Sequence, residues 1–125
     1  NDFNRLYKAK PNKILLIDVR ENDEFSASSI EGSISIPLSH LNQDSELKFI
    51  QKESFSKEVF TICKSGKRSE KASRILSQFK IQSRSIEGGI EKVKKILCNK
   101  YIKNIPIELI KNDIPIGRII SIGCA

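Results

Sequence analysis

Val59-Phe60-Thr61-Ile62-Cys63-Lys64-Ser65-Gly66-Lys67-Arg68-Ser69 is the stretch that decides how this chain folds. An apolar, β-prone run from Val59 to Ile62 ends at a cysteine. A short loop with Gly66 and three cations (Lys64, Lys67, Arg68) follows. The apolar residues Ala72, Ile75, Leu76 and Phe79 then recur at i, i+3, i+4 and i+7, the stripe of an amphipathic helix. Ser69 is placed to cap that helix and Glu70 falls in its first turn. A thiol between a strand end and a helix start faces backbone N–H groups and the positive end of a helix dipole. Those conditions lower a thiol pKa from its usual ~8.5 and favour a thiolate nucleophile.

The segments on either side follow the same alternation. Ile14-Leu15-Leu16-Ile17, ended by Asp18, reads as a strand buried on both faces. Asp2 to Lys8 reads as an entry helix, Asn22 to Phe25 as a single helical turn and Ser33 to Leu38 as a short strand stopped by Pro37. Leu41 to Gln51 reads as a helix, Glu58 to Ile62 as a strand and Ser83 to Ile86 as a short strand. Gly88-Gly89 read as a turn, and Ile90, Val93, Ile96 and Leu97 mark a further helix. Strands alternating with helices at this spacing predict an α/β fold: a sheet of about five mainly parallel strands flanked by helices, with chemistry at the carboxyl ends of the strands. The domain spans 1–98. The extension, 99–125, carries Ile105–Ile110 and Ile114–Ile122 around Lys111-Asn112-Asp113, a pattern that suits a hairpin packed on the domain.

Composition narrows the function classes. At 125 residues one domain with an ordinary core is expected. The chain lacks Met, which suggests a piece of a longer protein, and it has no apolar run of membrane-spanning length and no leader pattern. Cys63, Cys98 and Cys124 lie far apart and odd in number, which argues against a disulfide framework or a zinc site and favours a reducing cytosol. The net charge of +7 comes from lysines that are scattered rather than striped, with two Tyr and no Trp, so nucleic acid is not the expected partner.

Four segments together resemble the rhodanese-like sulfurtransferase family. Leu15–Phe25 (LLIDVRENDEF) is similar to its first strand and turn, and Ile30–Leu41 (IEGSISIPLSHL) to its I-P-G-A-x-x-I-P-L segment. Cys63–Ser69 (CKSGKRS) is similar to its catalytic loop, and Ser85–Ile90 (SIEGGI) to its final L-E-G-G-I turn. The match runs over roughly 12–97 in the family's order. It departs at Ser29-Ile30-Glu31-Gly32, where members often have His-Ile-Pro-Gly, and at Val93, where many carry Trp.

The resemblance implies the family's three-layer fold and a sulfur-carrying cysteine. Cys63 would attack the sulfane sulfur of thiosulfate or of a donor persulfide and pass it to a thiophilic acceptor, with no cofactor and no metal. Backbone N–H groups of Lys64, Ser65, Gly66, Lys67, Arg68 and Ser69 would form an anion nest, with the three cations adding charge. Asp18 and Arg20 read as architectural support, with Arg20 and Glu24 as partners for a buried Asp18. Ile36-Pro37-Leu38 also looks like the rhodanese domains fused to adenylating enzymes, which makes a ubiquitin-like sulfur carrier one expected partner.

Other readings stay open. A buried core cysteine is the plain alternative for Cys63, and a non-catalytic binding module on the same fold the alternative for the domain. A cysteine phosphatase or arsenate-type enzyme is a third, although its signature places five residues between Cys and Arg where four, Lys64 to Lys67, stand here. His40, the sole histidine, reads as a surface residue. Cys98 reads as buried on its helix and Cys124 as incidental. Gly88-Gly89 read as a turn near the rim of the site.

Overall fold

The computed structural model describes residues 2–97 and 101–104. Helix α1 (Asp2–Ala9) leads through a 3₁₀ turn (Pro11–Lys13) into β1 (Ile14–Asp18). Helix α2 (Asn22–Ala27), β2 (Ser28–Ile30), β3 (Ile34–Ser35), a second 3₁₀ turn (Leu38–His40) and α3 (Asp44–Glu53) follow. Then come β4 (Glu58–Ile62), α4 (Lys67–Gln78), β5 (Arg84–Ser85), α5 (Gly89–Ile96) and β6 (Ile102–Asn104).

The main sheet has the order β3-β1-β4-β5 with every pair parallel. Among the described residues it holds four strands, where the sequence predicts about five. β2 leaves it to pair antiparallel with β6, from Ser28↔Asn104 to Ile30↔Ile102. Neither of those strands is legible as one in the sequence, because each is three residues long and finds its partner some seventy positions away. The Ser33–Leu38 strand is likewise shorter than its alternation suggests. Ile36 and Leu38 still donate to Asp18 and Val19 carbonyls at 3.0 and 3.1 Å, but Pro37 has no N–H and the ladder ends.

Side-chain alternation along β1 and β4 sorts the core into two layers. Leu15, Ile17, Val59 and Cys63 pack with Leu47, Ile50, Ala72 and Leu76 of α3 and α4. Ile14, Leu16, Phe60 and Ile62 pack on the other face with Phe3, Tyr7, Ile90, Val93 and Leu97. All five β1 residues are buried, which is why that strand reads as an unbroken apolar run. The period of two therefore fixes the face on which Cys63 emerges. Val59, Thr61 and Cys63 all point towards α4.

At the carboxyl end of β1, Asp18 is fully buried and ion-paired to Arg20 at 2.8 Å. Arg20 Nε reaches both carboxylate oxygens, and its Nη2 donates to the Ser28 carbonyl at 2.6 Å, tying the turn after β1 to β2. Glu24, expected beside Asp18, turns elsewhere. It closes a capping box with Glu21 at the start of α2 and faces the Cys63 loop. One aspartate and one arginine satisfy each other in a buried site, so a third charge there would be left without a partner.

Removing one member of a buried pair strands the other. Asp18→Ala is expected to lower the unfolding free energy by about 3–5 kcal/mol, as measured by urea denaturation.

Candidate active site

Helix α4 begins three residues earlier than the expected Ser69 cap would place it. Its N-cap is Gly66, at φ +113°, and not Ser69. The left-handed conformation turns the chain sharply after Ser65, and glycine accepts it at little cost. Space enforces the same choice, since a Cβ on Gly66 would lie 3.3 Å from the Gly88 nitrogen. With the helix starting at Lys67, Ser69 falls in its first turn, where the backbone N–H groups have no carbonyl four residues back. Those amides are left over for the sulfur.

Cys63 sits directly after β4, and 1 % of the residue is exposed. The Gly66 N–H donates to Sγ at 3.0 Å, and the Ser69 hydroxyl lies 3.5 Å from it. Burial pushes the thiol pKa up, the largest single influence. The Ser69 hydroxyl and the backbone N–H groups of Ser69, Gly66 and Ser65 together outweigh it, and the pKa ends below the ordinary thiol value. Cys63 is therefore at once a core residue by packing and a hydrogen-bonded sulfur by its surroundings.

The loop's curvature is held from behind. The Ile90 N–H donates to the Cys63 carbonyl at 2.7 Å and the Glu91 N–H to the Lys64 carbonyl at 3.4 Å, so the free amides at the start of α5 take the loop's carbonyls. Gly88 caps α5 at φ +81°, and Gly89 follows at φ +65°. A Cβ on Gly89 would stand 2.3 Å from the Lys64 carbonyl oxygen and 2.5 Å from that of Cys63. Gly89 thus supports the back of the loop, while Gly88 lines a pocket beside it with Ser65, Gly66 and Lys67.

The cations separate into two kinds. Arg68 is held by Glu24 in a two-point pair, Nη1 to Oε1 at 2.7 Å and Nη2 to Oε2 at 3.1 Å. The Arg68 hydrogen bonds bring the Glu24 carboxyl down to about 2, against its modest burial and with help from the Glu21 N–H. Lys64 and Lys67 are exposed, and among the described residues neither side chain has a partner. Ser65 is exposed as well, so its N–H is its contribution to the sulfur. Asp18 and Arg20 do not touch Cys63 and shape the turn leading to Glu24. His40 is exposed in the second 3₁₀ turn. Cys98, Cys124 and the segments 105–110 and 114–122 lie outside the described residues.

Two residues of this site escape a sequence reading. Ser85 opens the SIEGGI segment at the end of a two-residue strand, where nothing local marks its hydroxyl, yet that hydroxyl is 2.7 Å from that of Ser69. Thr61 reads as an ordinary strand residue, but it is fully buried and donates to the Ser69 carbonyl at 2.9 Å. A cavity of about 520 Å³ lies at the opposite end of the strands, lined by Ser54, Lys57, Ser73 and Ser83 among others. It contains no cysteine, and its one carboxylate, Glu58, pairs with Arg84. Among the described residues no group of three or more His, Cys, Asp or Glu side chains is placed to hold a metal, and no helix is long and apolar enough to cross a membrane.

The description "Rhodanese-like domain" belongs to the family model that matches residues 2–96. The chain is 36% identical over 93 residues to the adenylyltransferase and sulfurtransferase MOCS3 of Drosophila virilis, covering 71% of this chain and 20% of that protein. It is also 36% identical over 90 residues to a Schizosaccharomyces pombe protein named as a candidate mitochondrial thiosulfate sulfurtransferase, covering 62% of this chain and 63% of the relative. It thus spans a fifth of the first relative and under two thirds of the second. The crystal structure of a rhodanese-related protein from Thermoplasma volcanium superimposes with a TM-score of 0.61 at 33% identity, covering 72% of this chain and 84% of that one.

Two outcomes are expected of the site. Gly89→Ala should distort the loop, because a side chain there meets two carbonyls and a positive φ at once. Its Cys63 alkylation rate at fixed pH is expected to fall by about tenfold, while far-ultraviolet circular dichroism stays that of the wild type. In the wild type, the thiolate is lost only as pH falls through a lowered pKa. The midpoint of Cys63 alkylation, read by peptide mass spectrometry against pH, should lie below that of the same cysteine in the urea-unfolded chain.

Proposed function

Because the chain belongs to the rhodanese-like family, we propose that it is a sulfurtransferase that carries sulfane sulfur as a persulfide on Cys63. The observation that carries this reading is the convergence of the Ser65, Gly66 and Ser69 amides and the Ser69 hydroxyl on one sulfur atom. The Cys63 thiolate attacks the outer sulfur of thiosulfate. A bond forms between Sγ and that sulfur, the bond to the sulfite sulfur breaks, and sulfite leaves with the electron pair. A donor persulfide reacts in the same way and releases its own thiolate. An acceptor nucleophile then attacks the outer sulfur and Cys63 departs as the thiolate. The lowered thiol pKa favours the thiolate, which attacks without a separate base.

The same amides that hold the thiolate hold the persulfide anion, since both present a negative sulfur to backbone dipoles. Lys64 and Lys67, exposed on the loop, draw in an anionic donor or acceptor. Arg68, paired to Glu24 through two of its five N–H donors, fixes the loop's flank and adds positive charge beside the sulfur. The four residues between Cys63 and Arg68, one fewer than a cysteine phosphatase signature has, speak against phosphoryl chemistry. The likeness to an adenylyltransferase and sulfurtransferase supports a protein acceptor, a ubiquitin-like carrier ending in Gly-Gly. The scattered cysteines fit a reducing cytosol.

One observation favours a second reading. Cys63 is 1 % exposed and Arg68 is already paired, as a non-catalytic binding module would have them. Incubation with thiosulfate followed by intact-mass measurement separates the two. The wild type is expected to gain one sulfur atom that Cys63→Ser does not gain, and to lose it to cyanide. An unmodified wild type, or a Cys63→Ser variant that still gains sulfur, refutes the proposal.

A further inference from the structure

Ser69 is fully buried, and its hydroxyl has three neighbours: Ser85 Oγ at 2.7 Å, the Gly66 carbonyl at 3.1 Å and Cys63 Sγ at 3.5 Å. A serine hydroxyl has one proton and two lone pairs. With Cys63 protonated, the proton and one lone pair are used: Sγ–H donates to Ser69, and Ser69 donates to the Gly66 carbonyl. A thiolate has no proton to give, so ionisation requires the Ser69 proton to turn towards sulfur. The Gly66 carbonyl is not left bare by that turn, because the Glu70 N–H also reaches it at 3.1 Å.

The turn has one competitor. Ser69 could spend its proton on Ser85, which lies nearer than sulfur. Ser69 is the only protein partner of the Ser85 hydroxyl among the described residues. We infer that Ser85 is a positioning residue for Cys63: its hydroxyl donates to Ser69 and thereby reserves the Ser69 proton for the Gly66 carbonyl or the sulfur. The backbone holds Ser85 to this task. Thr61 and Ser85 are parallel register partners, and the Ile86 N–H donates to the Thr61 carbonyl at 2.9 Å. Thr61 and Ser85 therefore present their hydroxyls to the same turn of α4, one to the Ser69 carbonyl and the other to its side chain. Among the described residues Ser85 makes no hydrogen bond to the sulfur, and it acts through Ser69.

The inference rests on the proposed function only in taking Cys63 as the reacting sulfur. Its test reads the ionisation of that sulfur in the full chain, apart from turnover. Rates of Cys63 alkylation by iodoacetamide are followed against pH and resolved by peptide mass spectrometry, so that Cys98 and Cys124 do not contribute. Ser85→Ala is expected to raise the midpoint by roughly half a pH unit, the size of one weakened hydrogen bond to the charged form. Ser85→Thr restores it. Ser69→Ala raises the midpoint at least as far, and adding Ser85→Ala to it changes nothing more. Should Ser85→Ala fold poorly, Ser85→Thr and Ser85→Val, equal in shape and unlike in hydroxyl, make the same comparison. A Ser85→Ala midpoint equal to the wild type, or a shift of undiminished size in the Ser69→Ala background, overturns the inference. Persulfide formation retained alongside that result leaves the proposed function standing. A wild type that takes up no sulfur but shows the Ser85 dependence does the reverse.

Discussion

Two hydrogen bonds from the start of α5, to the carbonyls of Cys63 and Lys64, set the terms for everything around the sulfur. A peptide plane has two ends. When its carbonyl is drawn backwards, the neighbouring amides are free to face the other way. The loop after β4 can curl its N–H groups around one atom because a second helix end accepts its oxygens. Gly89 makes the approach possible, since a Cβ would stand closer to both carbonyls than any side-chain carbon does. An unpaired buried carbonyl would otherwise cost about 1–3 kcal/mol, enough to favour a flatter loop.

The site is assembled from two opposed devices. Behind it, α5 holds the backbone. Beside it, Glu24 holds Arg68 and with it the flank of the loop. Glu24 is itself positioned twice, by the capping box that starts α2 and by the Asp18–Arg20 pair that shapes the preceding turn. The arginine of the loop is thus tied to Glu24, while the two lysines remain exposed. Within the sulfur's own surroundings, burial and hydrogen bonding pull the thiol in opposite directions, and the amides prevail. A purely apolar pocket of the same depth would have raised the thiol pKa.

Much of the architecture could be read from single residues. The unbroken apolar run Ile14–Ile17 announced a strand covered on both faces, and Glu58–Ile62 is a strand with those very limits. The stripe Ala72, Ile75, Leu76, Phe79 announced α4, and its start was misplaced because the stripe records packing and not the cap. The β2–β6 pair left no trace, since three-residue strands lack a period to detect. Glu24 was legible as a buried-charge partner but was assigned to the wrong charge. Ser85 opens the SIEGGI segment, but nothing local assigns its hydroxyl to Ser69.

By itself the sequence determined what is local: a thiol at the end of a strand, a glycine where the chain must turn left-handed, a basic loop and the helix beyond. These depend on neighbours a few positions apart, which periodicity and residue chemistry report directly. Only the tertiary structure decided which groups meet across the chain: Glu24 with Arg68, Ser85 with Ser69, and the amides of Ile90 and Glu91 with the loop carbonyls. The partners in those contacts are 16 to 44 residues apart in the side-chain pairs. No residue carries in its own identity the register of a sheet or the crossing of a helix. Those are set when two apolar faces close on one sheet, and the ionisation of Cys63 is settled there.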